Sequence, residues 1–459
     1  MTDSSATAAP RISEKDSTGK VVTTVPEQKK KISWFYASLP FNVALGPLST
    51  YIQLSLLQSY GQNLGTVYIG LILTIFSGVT IPVSMIWGFA TDKFHKRKPI
   101  IVLSFLLTAV DLFALTFTQS ALGIGLLYAL FALFSSASAT PFNLLIMETQ
   151  PKQSWSSAFA KFSMIGTIGN VIGLVLSGIW VSVLPLEYLV VPLSLLSLIS
   201  AMLAVWLIDE PSFMFEREMI ALQKQSLAQR LLAFPLIFLK IPNVSDFRRI
   251  FRGLRNELTS QVPILYLSIV AFNIAGGIFN TSLTSSMSVN GLSQSEIFGV
   301  YFTALLLQVF AFRYAAPYIA KRTLVKTAVA GLVLRSVCYA LMGVSFYLIS
   351  GIWFLVPSII FYPLAAGIAY AIYYTSSSTM VFNSLGSKGQ GSSLGVYSAL
   401  VGVALMIGSF ISGFTSVYLG YYVTFLLAAF FLVIAAALTS KLARFEPQRT
   451  KSSNAAGLT

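Results

Sequence analysis

Long apolar runs and short polar gaps alternate along almost the whole chain. Twelve runs of about twenty or more residues stand at 34–58, 67–90, 99–119, 121–147, 158–184, 187–208, 262–285, 296–319, 327–349, 352–376, 393–417 and 420–440. As helices, runs of that length cross a hydrocarbon core about 30 Å thick. The pairs 99–147 and 158–208 divide at "TQSALG" and "LPLEY". Pro141 and Pro363 fall inside runs, which a bilayer tolerates because neighbouring helices can satisfy the freed backbone groups.

Lysine and arginine test the count independently. The gaps "GQNLG", "TQSALG", "LPLEY", "SVNGLSQS", "SGI" and "LGYY" carry neither, whereas the intervening gaps and both tails hold nearly all of them, among them Lys93, Lys152, Lys321, Arg322, Lys326 and Lys388. Basic residues gather on the cytoplasmic side of membrane proteins, so the alternation predicts twelve crossings with both termini in the cytoplasm. An error in the count would break it.

Composition removes the soluble classes. Charged residues make up 10% of the 459 and hydrophobic ones 55%, against roughly 25% charged in an average soluble domain. The mean hydropathy is +0.76. The net charge of +14 would suit nucleic acid, but its placement assigns it to the anionic cytoplasmic leaflet, so nucleic acid is not an expected partner. One histidine and one cysteine, Cys338, allow neither an intramolecular disulfide nor a metal set. No phosphate loop of the G-x-x-x-x-G-K-(S/T) type and no nucleophile triad stands out, so an enzyme is not expected and no cofactor is implied.

Residues 1–32 read as a disordered cytoplasmic tail without a signal-peptide core, and 443–459 as a second one. The longest gap, 211–261, separates six spans (33–210) from six (262–442). Its "RLLAFPLIFLK" is too short to cross; with Arg248, Arg249, Arg252 and Arg255 it reads as helical segments on the leaflet surface or as a solvated basic linker.

The two halves repeat. At an offset of 235 residues, Ser157 meets Ser392, Ser163 meets Ser398 and "GLVLSG" meets "GSFISG", each in the fifth span of its half. Duplicated six-helix units are a signature of transporters that bind substrate between the repeats. Gly169, Gly173, Gly178, Gly408 and Gly413 also suit close helix packing, the simpler reading of each.

One gap carries a motif. "GFATDKFHKRK", between spans two and three, resembles the major facilitator superfamily loop G-x-x-x-D-(R/K)-x-G-(R/K)-(R/K)-(R/K): Gly88, Asp92, Lys93, Lys96, Arg97 and Lys98 fall in register, and His95 replaces a glycine. With twelve spans, a six-plus-six division and a central loop, the resemblance covers nearly the whole chain. It implies an all-α membrane protein of two pseudo-symmetric six-helix bundles around a cavity that opens alternately to either side. It also implies that Asp92 is part of a latch against the start of span eleven, with Glu148 in the same gate; the alternative for Asp92 is a solvated loop acid. Two family features are incomplete. In "GNVIGLVLSG", Leu174 and Ser177 replace a proline and a glycine of the antiporter signature, and residues 121–147 lack the arginine associated with proton coupling.

Asp111 and Arg335 each lie about twelve residues into the third span of their half, about 18 Å deep. Intramembrane charges suggest function by default, which makes Asp111 the candidate proton site; a carboxyl hydrogen-bonded within its own bundle is the alternative. The two spans belong to opposite bundles, so a direct pair is not expected. Arg313, near the end of span eight, can snorkel to the cytoplasm. By the resemblance, spans one, four, seven and ten face the cavity and offer Asn42, Tyr51, Gln53, Asn143, Asn273, Asn280, Tyr362, Tyr370, Tyr373 and Tyr374. That uncharged lining suits a small neutral or amphipathic solute.

The sequence thus predicts a secondary transporter working by alternating access, with protons as candidate coupling ion, a monomer in a prokaryotic plasma membrane. Efflux of lipophilic drugs is the rival within the class, and a non-transporting receptor or assembly factor of the same fold the rival outside it.

Overall fold

The computed structural model describes residues 13–15, 21–23, 32–94, 97–150, 155–208, 261–320, 323–384 and 390–444. The central 211–260, most of the N-terminal tail, the C-terminal tail and the pair His95–Lys96 lie outside them. The tail contributes one short antiparallel pair, Ser13–Lys15 with Val21–Thr23.

The other described elements are helical. After a 3-10 turn at Ile32–Ser38 come α1 (Leu39–Phe94), α2 (Lys98–Leu115), α3 (Ala121–Ser135), α4 (Ala139–Thr149), α5 (Trp155–Val183) and α6 (Val190–Leu207). The second half runs through α7 (Gln261–Val289), α8 (Gln294–Ala320), α9 (Leu324–Leu348), α10 (Leu355–Pro363), α11 (Tyr370–Ser384), α12 (Gln390–Tyr418) and α13 (Gly420–Lys441).

Among the described residues, eleven stretches are long and apolar enough to cross a membrane, and the first is 51 residues long. At 1.5 Å per residue it would measure about 75 Å, far more than one bilayer. Gly61, at φ 71° and ψ −180°, breaks it into spans one and two. The expected loop "GQNLG" is therefore a single-residue reversal. A left-handed φ is open to glycine at little cost, so one glycine can turn the chain without leaving helical pairing on either side. Eleven stretches become twelve spans.

Two other spans are interrupted. Span four is α3 and α4 joined by a 3-10 turn, Ser136–Ser138, just ahead of Pro141. The hydroxyls of Ser135 and Ser136 donate to the carbonyls of Phe131 and Ala132 there. Span ten is α10 and α11 joined by a π-helical turn, Leu364–Ala369, directly after Pro363. Prolines are thus accommodated by local rewinding and by hydroxyls on the same helix as well as by neighbours.

Helices ending at Gly61, Val183, Val289, Leu348 and Tyr418 define the distal face; the opposite, termini face holds Phe94, Lys98 and Thr149. In the first bundle α2 packs on α6, and in the second α9 packs on α13. Serine-to-carbonyl bonds join each pair: Ser197 Oγ to Phe105 O at 2.9 Å and Ser336 Oγ to Ala429 O at 3.0 Å. In lipid such bonds and close backbone approach replace the hydrophobic drive between helices. The outward surface is correspondingly apolar, with Leu122 at 75% and Trp206 at 79% exposure.

The repeat is structural as well as sequential. A Cβ on Gly173 would collide with the Val43 carbonyl of span one, and one on Gly408 with the Ile274 carbonyl of span seven. Between the bundles, a Cβ on Gly413 would stand 3.0 Å from Gly70 Cα of span two, and one on Gly178 3.5 Å from Phe298 Cβ of span eight. Spans five and eleven therefore each hold their own first span and the opposite bundle's second. Gly169 packs on Asn42 and the Leu39 carbonyl.

Candidate functional site

A cavity of about 460 Å³ lies between the bundles. Its walls come from spans one, two, four, seven and eleven: Ser49 and Gln53; Phe76 and Ser77; Tyr128, Phe131 and Ser135; Gly276, Gly277, Asn280 and Thr281; Leu405 and Ser409. No lining side chain among the described residues is charged. The distal end is closed by neutral hydrogen bonds across the bundles. Gln62 donates to Ser288 at 2.9 Å, Thr66 pairs with Tyr421 at 3.0 Å, and Ser295 donates to the Gly178 carbonyl at 3.0 Å.

Of the ten polar positions expected along the cavity, Gln53 and Asn280 line it. Span ten does not; spans two and eleven take its place. Their helices meet at Gly70 and Gly413, so the next turns toward the termini face form part of the cavity wall. Phe272 of span seven stands in front of span ten, 4.1 Å from the Tyr373 ring. Tyr51 and Tyr362 are packed into the apolar core. Asn42 Nδ2 donates to the Ser38 carbonyl and Asn273 Nδ2 to that of Ile269, both back along their own helices. Asn143 is exposed, outside the cavity wall.

Tyr370 and Tyr374 belong to another cluster, around Arg335. The guanidinium carbon of this 4%-exposed arginine sits 4.8 Å from the Phe272 ring, 5.2 Å from Tyr339 and 5.4 Å from Tyr370. Nε and Nη2 both donate to Tyr339 Oη, at 2.9 and 2.7 Å. Nη1 has no hydrogen-bond partner among the described residues. Aromatic faces, not a carboxylate, hold this cation. In the first bundle Phe41 and Phe142, each 231 positions before Phe272 and Tyr373, pack around Phe105.

Asp111 is 4% exposed in the first bundle, and neither carboxyl oxygen has a hydrogen-bond partner among the described residues. It is not paired with Arg335, as their separate bundles require. Arg313 is exposed. Of the loop motif, Arg97 and Lys98 stand at the start of α2 without a side-chain cap bond from Arg97; Lys96, the surroundings of Gly88 and the side chains of Asp92, Lys93 and Glu148 lie outside the described residues, so the latch does too.

Sequence reasoning missed Gly276, Phe76, Tyr128 and Phe131. The Gly276–Gly277 doublet and the i, i+3 spacing of Tyr128 and Phe131 were visible, but nothing local says which way those faces turn.

Two six-helix bundles with equivalent contacts across their interface and a cavity between them are the arrangement expected from the loop motif. The sequence profile of the Major Facilitator Superfamily matches residues 35–364 and 265–458. The chain belongs to that superfamily. Among solved structures of this superfamily's fold, a POT family transporter in complex with 5-aminolevulinic acid superposes with a TM-score of 0.67 at 12% identity, covering 91% of this chain and 96% of that one. The nucleoside transporter NupG gives 0.64 at 13% identity, over 90% and 100%. A bacterial homolog of the human lysosomal transporter Spinster, inward-facing and occupied, gives 0.62 at 14%, over 92% and 98%. At such identities the likeness is one of fold. Sequence comparison with curated proteins gave no match. As a superfamily member the chain is a multi-pass membrane protein of the secondary-transporter class.

Proposed function

We propose that this protein moves a small neutral or amphipathic organic solute through the cavity between its bundles by alternating access, with the termini face cytoplasmic. The carrying observation is the uncharged cavity: about 460 Å³ lined by aliphatic, aromatic, hydroxyl and amide groups, within the size range of small-molecule sites. A charged solute would leave its charge unpaired there, at a cost of several kcal/mol.

Asp111 is the coupling candidate. An ionisable group buried at mid-span without a partner is costly to keep, and no other function in the described structure accounts for it. Its place on the outer side of the first bundle, on α2 against α6, makes any coupling indirect, through the state of that bundle rather than through contact with solute.

The test is solute flux in proteoliposomes, with and without an imposed pH gradient, for wild type and Asp111→Asn. Gradient-driven accumulation of a neutral solute by wild type, lost in the variant, is the expected result. Flux indifferent to both the gradient and the substitution removes the proton. Absence of flux over a broad neutral panel removes transport in favour of a receptor-like role, and flux confined to lipophilic cations assigns drug efflux.

A further inference from the structure

The two long walls of the cavity differ in kind. On the first bundle Phe76 stacks on Tyr128 with ring centroids 4.4 Å apart and planes 20° apart, and Phe131 lies beside both, 5.7 Å from Tyr128 at 5° and 6.3 Å from Phe76 at 22°. Three near-parallel rings clustered this closely make a rigid aromatic wall. On the opposite bundle the wall includes Gly276 and Gly277, whose environments separate their jobs. A Cβ on Gly277 would stand 2.8 Å from the Leu405 carbonyl, so this glycine packs span seven against span eleven. A Cβ on Gly276 would meet nothing within 4 Å, although the residue is buried and lines the cavity. Gly276 therefore keeps space empty.

A polar end completes the site. Gln53 is 3% exposed and lines the cavity; its Nε2 donates to Ser49 Oγ at 3.3 Å, and its Oε1, itself buried, has no hydrogen-bond partner among the described residues. A buried amide oxygen without a donor costs about as much as a lost hydrogen bond, so the site is incomplete as it stands.

We propose that the cavity is a slot for an uncharged planar ring bearing at least one N–H or O–H donor: the ring stacks on the Phe76–Tyr128–Phe131 wall, Gly276 leaves it room, and the Gln53 amide turns its unpaired Oε1 toward the cavity to accept the donor. Flat rings gain from parallel or offset stacking, and rings of unsaturated atoms fit between an aromatic wall and a side-chain-free one. A non-planar polyol would fill neither requirement and would bring more hydroxyls than the wall can pair. This assignment rests on the reading above, that the cavity holds the transported solute.

The test is equilibrium binding of radiolabelled theobromine, caffeine and D-glucose to the full-length protein in nanodiscs. The two xanthines are neutral planar rings that differ by one methyl, which removes the N–H donor of theobromine; D-glucose is a non-planar polyol. Wild type binds theobromine at least about tenfold more tightly than caffeine, the penalty for leaving a buried acceptor unpaired. In Gln53→Leu the ratio falls to about one. Gly276→Leu, which enters open space and elutes as folded protein, loses both ligands. Equal affinity for the two xanthines, discrimination that survives Gln53→Leu, unaltered binding in Gly276→Leu, or binding of D-glucose without either xanthine overturns the slot.

Flux measured on the same preparations separates the two readings. The expected binding pattern without flux keeps the slot and removes transport. Flux of another solute without xanthine binding removes the slot and keeps transport. Neither binding nor flux removes both.

Discussion

Gly70 and Gly413 offer the sharpest test of how the bundles meet. A Cβ on Gly70 would fall 2.6 Å from Gly413 Cα, 2.9 Å from its nitrogen and 3.0 Å from the Ser409 carbonyl, all backbone atoms of span eleven. No side chain can move aside, so Gly70→Ala must push spans two and eleven apart by about 1 Å to reach ordinary carbon–carbon contact. Overpacking of this kind costs about 1–3 kcal/mol. The interface offers an escape that a sealed core does not: the bundles can rotate and part at the distal face, surrendering the Thr66–Tyr421 and Gln62–Ser288 bonds. The strain therefore shifts the conformational balance by about 5- to 150-fold toward a distally open state. Spin labels at Leu122→Cys and Leu419→Cys report it: both residues are exposed, at 75% and 60%, at the distal ends of opposite bundles, while the native Cys338 is buried. Double electron–electron resonance should show a longer distance population in Gly70→Ala. It should show none in Gly299→Ala, where a Cβ meets nothing within 4 Å. An unchanged distribution in a folded Gly70→Ala protein would refute the reasoning.

Arg335 gives a prediction of opposite sign to intuition. Because aromatic faces and one tyrosine hydroxyl hold it without a carboxylate, Arg335→Met should melt within about 1 kcal/mol of wild type, since apolar side chains of similar volume often replace buried charge without loss. Arg335→Ala should lose about 2–5 kcal/mol through the cavity it leaves; thermal unfolding in detergent compares them. Gly61→Ala should cost about 1–2 kcal/mol in the same assay, purely from its φ of 71°, because a Cβ there has open space. Gly173→Ala and Gly408→Ala should be destabilised alike, each meeting a span-one or span-seven carbonyl. Yields of folded protein that differ severalfold between the two would break the pseudo-symmetric account.

Much of the architecture was legible in the residue order. Apolar runs of fixed minimum length and the alternation of Lys and Arg between gaps set twelve crossings, and the offset of 235 between "GLVLSG" and "GSFISG" set the repeat. These are properties of chain segments against a bilayer, a solvent that imposes one length and one charge asymmetry on every span. Gly169, Gly173, Gly408 and Gly413 stand at close contacts for the same reason, since close approach in lipid needs small residues wherever it occurs, whereas Gly178 has room for a Cβ. Buried charge was equally plain, since Asp111 and Arg335 stand out in any apolar run.

What the order of residues left open is which way each helix turns. In a soluble helix a polar stripe marks the outside, but a helix in lipid is apolar on every face, and a serine or tyrosine can look at a neighbour, at its own carbonyls or into a cavity. Asn42 and Asn273 spend their amides on their own helices, Tyr362 is buried in the core, and Gln53 and Asn280 face the cavity. Only the packing of spans two and eleven at Gly70 and Gly413 put them, rather than span ten, on the cavity wall. The same packing gave two adjacent glycines different work. Gly277 lets a helix come close and Gly276 keeps a space free, a distinction made by what lies opposite each Cα and by nothing in the sequence around it.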